Sequence, residues 1–183
     1  MSVSNENSTT KPSEKDLAQT PIWMIDSILS LLGNRAGFDL DVCANEATAK
    51  ADLYYSIDER EEDALKLGWL DFNFCNPPFS NVMPFVEKAH MEALNGKTTV
   101  MILPNNPEVA YIRAVKKVAD TIIEMPFRLK FQRPNGEEFL DKKGKAQSPK
   151  FSCLVALITP LGTQTTTRTM YWDFRVGFYK KGM

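Results

Sequence analysis

"FCNPPFS", residues 74–80, sets two prolines directly behind an asparagine at the end of an apolar run, and an aromatic directly behind them. Pro77 and Pro78 lack backbone N–H groups and have a fixed φ, so they do not serve a central strand. The stretch "DFNFC", residues 71–75, therefore reads as a short strand that stops where the prolines begin. Beyond it Val82, Phe85, Val86, Ala89 and Ala93 recur at helical spacing up to Asn95–Gly96, and "TTVMILP" is an apolar strand of the kind covered on both faces. Strand, stiff turn, helix, strand is the unit around which the rest of the chain is placed.

Upstream, Thr20 opens a helix with Pro21 at its first position, and Ile22, Ile25, Ile28, Leu29 and Leu32 repeat at helical spacing until Gly33. "FDLDVCA", residues 38–44, reads as a strand, and a short helix fits around Arg60–Leu67. Downstream come a helix over about 107–118, the strand "TIIEM", and "RLKFQR", read as a further strand. Residues 134–150, rich in turn residues and lysines, form a long loop. "FSCLVALIT" and "MYWDFRVGFY" read as two closing strands. The alternation predicts an α/β fold: a mostly parallel twisted sheet with helices on both faces and an antiparallel C-terminal strand. Residues 1–17 are polar and read as a disordered tail before a single domain over 18–183.

Composition narrows the chemistry. The chain has 183 residues, 43% hydrophobic, enough for one self-sufficient core. It has no run near the roughly 18 apolar residues of a membrane span and no apolar leader, so a cytoplasmic, membrane-free protein is expected. Cys43, Cys75 and Cys153 form no CxxC pair, so neither a disulfide framework nor a thiolate metal site is expected. The sole histidine, His90, falls inside a helical pattern, which leaves triad, zinc and histidine-based acid–base mechanisms without their main actor. Net charge is −1, yet residues 1–112 carry 8 Lys/Arg against 17 Asp/Glu, and residues 113–183 carry 14 against 6. A basic C-terminal part suits a polyanion, and equally suits solvated lysines.

In an open α/β sheet ligands sit beyond the carboxyl ends of the strands, where NPPF falls. The proline pair limits the backbone and so fixes where the Asn76 amide oxygen and the nearby carbonyls point, while Phe79 offers a flat face. Two acceptors and a ring suit a planar group that bears an –NH₂: the acceptors take both amino hydrogens and the ring stacks on the heterocycle. With a good leaving group on the electrophile, such as a sulfonium methyl donor, orientation and electrostatics carry the reaction and little base is needed. A rigid turn after a strand is the plainer reading of the same tetrapeptide.

Over residues 20–160 the sequence resembles the phage DNA N-6-adenine methyltransferase family, the small Dam-like enzymes. The likeness lies in "TPIW", "LDVCA", "YY" before an acidic stretch, "DAL" followed by "W", "CNPPFS", "VMILP", and "RLKF" leading to "SCLVALITP". It implies a Rossmann-like class I methyltransferase fold, S-adenosylmethionine as cofactor, and methylation of N6 of an adenine flipped out of DNA. It also implies that Asn76, Pro77, Pro78 and Phe79 are the catalytic motif, with Asn76 and the Pro77 carbonyl on the amino group and Phe79 on the base. For the cofactor it points to Thr20 and Pro21 at the methionine carboxylate, to Asp41 at the acidic position of the first-strand motif "LDVCA", to Asp63 and Leu65 of "DAL" at the adenine, and to Asn76. "ANEA" stands where most methyltransferases have glycines.

Arg128, Lys130 and Arg133, with Lys142, Lys143, Lys145 and Lys150 of the long loop, are the DNA-facing candidates, positioned to meet phosphates and not to read bases. A solvated lid is the other reading of that loop. Two other functions share the motif: methylation of a protein glutamine or an RNA amine, and a DNA-binding module without catalysis.

Overall fold

The computed structural model describes residues 18–33, 35–147, 149–160 and 166–179, so the expected tail over 1–17 lies outside the described residues. In chain order the elements are α1 (Ile22–Leu31), β1 (Leu40–Asp41), α2 (Ile57–Arg60), β2 (Phe72–Cys75), α3 (Met83–Leu94), β3 (Thr98–Pro104), α4 (Ala110–Val118), β4 (Thr121–Glu124), β5 (Cys153–Ile158), β6 (Arg168–Tyr171) and α5 (Phe174–Tyr179). The six strands make one sheet in the order β1-β2-β3-β5-β4-β6. β1, β2 and β3 pair in parallel, with Leu40 opposite Asn73 and Phe72 opposite Thr98. β5 runs antiparallel between β3 and β4, and β6 lies parallel to β4 at the edge.

Side chains leave the central strands to alternate faces, and the core divides accordingly. Met101 and Leu103 of β3 pack with Val86, Ala89, Ile112 and Val115 from α3 and α4. Val100 and Ile102 pack on the other face with Met24, Ile25 and Ile28 of α1, and with Phe72 and Phe74 of β2. Helices therefore cover both faces, and β3 is buried along nearly its whole length. Among the described residues no helix is long and apolar enough to cross a membrane.

Several details differ from the sequence reading. Pro21 is itself the N-cap of α1, with ψ of 143°, so the Thr20 hydroxyl caps nothing. The helix expected around 60–67 is absent: a single helical turn, Ile57–Arg60, is started by Ser56 accepting the Glu59 N–H and ended by Glu61 at φ 57°, and the following residues to Leu67 form only a turn. "MYWDFRVGFY" is strand only to Tyr171: Asp173 accepts the Arg175 N–H through Oδ1 and the Val176 N–H through its carbonyl, which folds the rest into α5. The antiparallel strand is consequently β5, while the C-terminal strand β6 is parallel to its neighbour. "RLKFQR" is also no regular strand, although Leu129 and Phe131 are buried and Arg128 and Lys130 exposed as alternation requires.

The turn into β2 is held by Asn73, which is fully buried. Its Oδ1 accepts the Leu70 N–H at 3.0 Å, and its Nδ2 donates to the carbonyls of Leu70 at 2.7 Å and Thr98 at 3.0 Å. Asn73→Ala leaves these groups unpaired and is expected to lower unfolding free energy by about 2–3 kcal/mol, measurable in urea.

Candidate functional site

At the carboxyl ends of β1 and β2 lies a cleft of about 570 Å³, a volume suited to a medium-sized ligand. Its floor comes from residues 41–45 with Asn76 and Pro78, its entrance from Ala18, Gln19 and Thr20, and its far wall from residues between Tyr55 and Leu65. Thr20, Asp41, Asp63, Leu65, Asn76 and Pro78 all line it, whereas Pro21 and Pro77 are packed outside the lining.

Asn76 leaves β2 into the cleft. Its Nδ2 donates to the Ala18 carbonyl at 3.2 Å, which settles the side of the amide that faces away, and its Oδ1 is buried without a partner. Behind the prolines, the Asn81 N–H donates to the Pro78 carbonyl at 2.9 Å and closes the turn. Phe79 sits half-buried with Phe131 edge-on at 5.4 Å and Phe151 at 5.8 Å. The ring is thus braced from two sides.

The turn after β1 does without glycine. Asn45 Oδ1 accepts both the Thr48 N–H and the Thr48 hydroxyl at 3.0 Å, and the Asn45 carbonyl accepts the N–H groups of Thr48 and Ala49. This side-chain-closed turn brings Lys50 back over Asp41. Asp41 is 2% exposed and accepts the Cys43 N–H through Oδ1 and the Lys50 N–H through Oδ2. Burial pushes its carboxyl up to about 6, against the opposing pull of those two N–H groups and of the Lys50 charge. Lys50 is lowered by burial, partly offset by Asp41. Thr20, spared as a cap, adds a buried Oγ1 with no partner.

The far wall is acidic: Asp58, Glu59, Glu62 and Asp63 line it, and Lys50 is the sole Lys or Arg on the lining among the described residues. Asp63 spends its carboxylate locally, with Oδ1 on the Leu65 N–H at 3.0 Å and Oδ2 3.1 Å from Lys66, whose hydrogen bond holds it below the usual carboxylate range. Beside it, Glu62 has Oε2 buried with no partner. Tyr55 and Cys43 complete the lining, and Cys43 Sγ lies 3.9 Å from Cys75 Sγ. Trp69 is core, donating its Nε1 hydrogen to the Ala64 carbonyl, and Trp23 packs by Phe127. Among the described residues no cluster of His, Cys, Asp or Glu could hold a metal ion.

The basic segment is ordered by its own bridges. Gln132 pairs with both Gln19 and Glu138, and Leu140 pairs with Ala146, so much of the expected loop is a folded-back hairpin. Asp141 Oδ1 accepts the N–H groups of Lys143 and Lys145, which turns Lys142, Lys143 and Lys145 outward at the tip, with Gly144 at φ 73°. Nearer the root, Lys130 lies 3.7 Å from Glu138 and Arg133 stacks over Phe139 at 5.2 Å. Arg128 and Lys150 are exposed.

Lys50, Gln19, Glu62 and Phe151 belong to the site's surroundings and escaped the sequence reading, because each takes its place through partners distant in the chain. The sequence model of the family described as DNA N-6-adenine-methyltransferase (Dam) matches residues 7–170. The DNA N-6-adenine-methyltransferase of Haemophilus phage HP1 (strain HP1c1) is similar as well, 30% identical over 143 residues, which cover 76% of this chain and 80% of the phage protein.

Asp41 yields a pH prediction with a definite sign. In the unfolded chain it ionises around 3.8, and in the folded protein around 6, so between these values the folded state holds the extra proton. Its contribution to stability is accordingly lost as pH rises through that window, by up to about 3 kcal/mol. Urea unfolding should show Asp41→Asn gaining on the parent by that order between about pH 4 and pH 7.

Proposed function

The chain belongs to the DNA N-6-adenine-methyltransferase (Dam) family and is an adenine-specific DNA methyltransferase; from that premise we propose that the cleft binds S-adenosylmethionine and that Asn76–Phe79 presents an everted adenine to it. The sheet, parallel through β1–β3 with an antiparallel β5 inserted before β4, is then a Rossmann-like class I methyltransferase sheet, a reading supported by the site's place at the strand ends.

The observation that carries the assignment is the Asn76 amide oxygen, buried at the cleft and partnerless while the other end of the same amide is tied to Ala18. A buried acceptor left open costs free energy until a donor arrives, and the exocyclic –NH₂ of adenine is such a donor. Asn76 Oδ1 and the Pro77 carbonyl take its two hydrogens and turn the nitrogen lone pair away from the ring. Phe79 holds the base flat, with Phe131 and Phe151 fixing the ring's tilt. Asn76 is uncharged, so it orients the amine without protonating it.

The cofactor fits the donor set. Its amino-acid end is a zwitterion, and Asp41 and Lys50 offer one charge of each sign, with the Thr20 hydroxyl open beside them. Leu65, Asp63 and Glu62 line the adenosine end, where the open Glu62 Oε2 is the free acceptor for an N–H or O–H donor and Asp63 is already engaged by Lys66 and the Leu65 N–H. When bound, the cofactor supplies an electrophilic methyl group on a sulfonium, which leaves as a neutral thioether. Asp41 in its ionised form holds the ammonium, so affinity falls as pH drops below about 6. The hairpin lysines meet the DNA backbone and position it without reading sequence.

Asn76→Ala is expected to lower kcat by roughly 10²–10³-fold, read as labelled N6-methyladenine in digested DNA; an unchanged rate sinks the assignment. Replacing Lys142, Lys143 and Lys145 together by alanine should flatten the log–log salt dependence of duplex binding by up to about 3.

A further inference from the structure

Gln19 stands between the cleft and the hairpin and uses every polar atom it has. Its backbone N–H and carbonyl pair with Gln132 at 2.9 and 3.0 Å. The side-chain Nε2 donates to the carbonyls of Arg133 at 2.7 Å and Pro134 at 3.1 Å, where the hairpin begins. Its Oε1 accepts from Lys50 Nζ at 2.6 Å. Lys50 in turn lines the cleft and has its backbone N–H on Asp41 Oδ2 at 3.1 Å. Hydrogen bonds at its backbone N–H and at its Nζ therefore make Lys50 the link from Asp41 to Gln19, and Gln19 carries the connection on to the hairpin root. From the root the Arg133 N–H donates to Glu137, and the Gln147 N–H donates to Phe139, which continues the order toward the lysine tip.

We propose that Gln19 is a positioning residue that ties Lys50 to the root of the basic hairpin, so that cofactor and DNA bind with positive coupling. The proposal rests on reading the cleft as the cofactor site and the hairpin as the DNA contact. Lys50 has three N–H donors and gives one to Gln19. A carboxylate at that end of the cleft takes another and immobilises the ammonium. The Gln19 amide is held with it, and through its two N–H bonds so are the carbonyls at which the hairpin departs. Ordering the hairpin before DNA arrives removes a cost that binding DNA otherwise bears. By linkage, bound DNA tightens the cofactor by the same factor.

The test compares affinities for a duplex that the enzyme methylates, with and without saturating S-adenosylhomocysteine, which cannot donate a methyl group. Fluorescence anisotropy should give the parent enzyme a ratio of roughly fivefold or more. Gln19→Glu keeps an acceptor for Lys50 but sets a carboxylate oxygen against the two carbonyls, and its ratio should fall toward one. Lys50→Met cuts the same link from the cleft side and should do likewise at saturating ligand, so the conclusion does not depend on one variant folding. A parent ratio of one, or variants that keep the parent ratio, overturns the coupling while leaving the methyltransferase assignment intact. S-adenosylhomocysteine whose binding calorimetry is indifferent to both Asp41→Asn and Lys50→Met overturns the cleft assignment, and the coupling with it.

Discussion

The parallel pairing of β1 with β2 is the constraint on which the site depends. β1 is only two residues long, but the bonds from the Asp39 N–H to Phe72 and from the Val42 N–H to Phe74 extend it at both ends. This register sets Asp41 opposite Phe74, and hence beside the point where Asn76 turns out of the sheet. A slip of one residue would send Asp41 to the other face and leave Asn76 without the charged half of its cleft. Asn73, clamped to Leu70 and Thr98, holds the partner strand against such a slip.

Around that register the protein keeps unfavourable groups where a ligand can relieve them. Asp41 is a carboxylate raised by burial, and Thr20, Glu62 and Asn76 each leave a buried oxygen unpaired. Native structures seldom tolerate such atoms unless something else answers them. The stiffness of the proline pair and the two rings braced on Phe79 let the cleft keep its shape while these groups go unsatisfied.

How much of this was legible in the sequence depended on how local each feature is. The NPPF turn, α3 and β3 follow from proline chemistry and periodicity within a dozen residues, and they were readable. Asp41, Asp63 and Leu65 could be placed at the cleft through the family resemblance, but not the fate of the Asp63 carboxylate, which its own turn and Lys66 absorb. Thr20 was read as opening the helix; the extended ψ of Pro21 makes the proline the N-cap, so no side chain caps α1. The last segment misled for a similar reason, since its alternating aromatics favour a strand and a single capping aspartate outweighs them. Gln19 and Lys50 carried no pattern at all, because their importance lies in a bond across 31 residues and in two more across 114 and 115.

The insertion of β5 between β3 and β4 has a consequence for biosynthesis. Its pairing partner β3 is complete at Pro104, yet the strand that covers its free edge starts only at Cys153. While the chain leaves the ribosome, a long and buried strand therefore presents a row of open amide and carbonyl groups until the hairpin region has been translated. Such an edge is a template for pairing with other nascent chains. The hairpin proposed to meet DNA is thus also part of the connection whose timely closure keeps the newborn sheet from sticking to its neighbours.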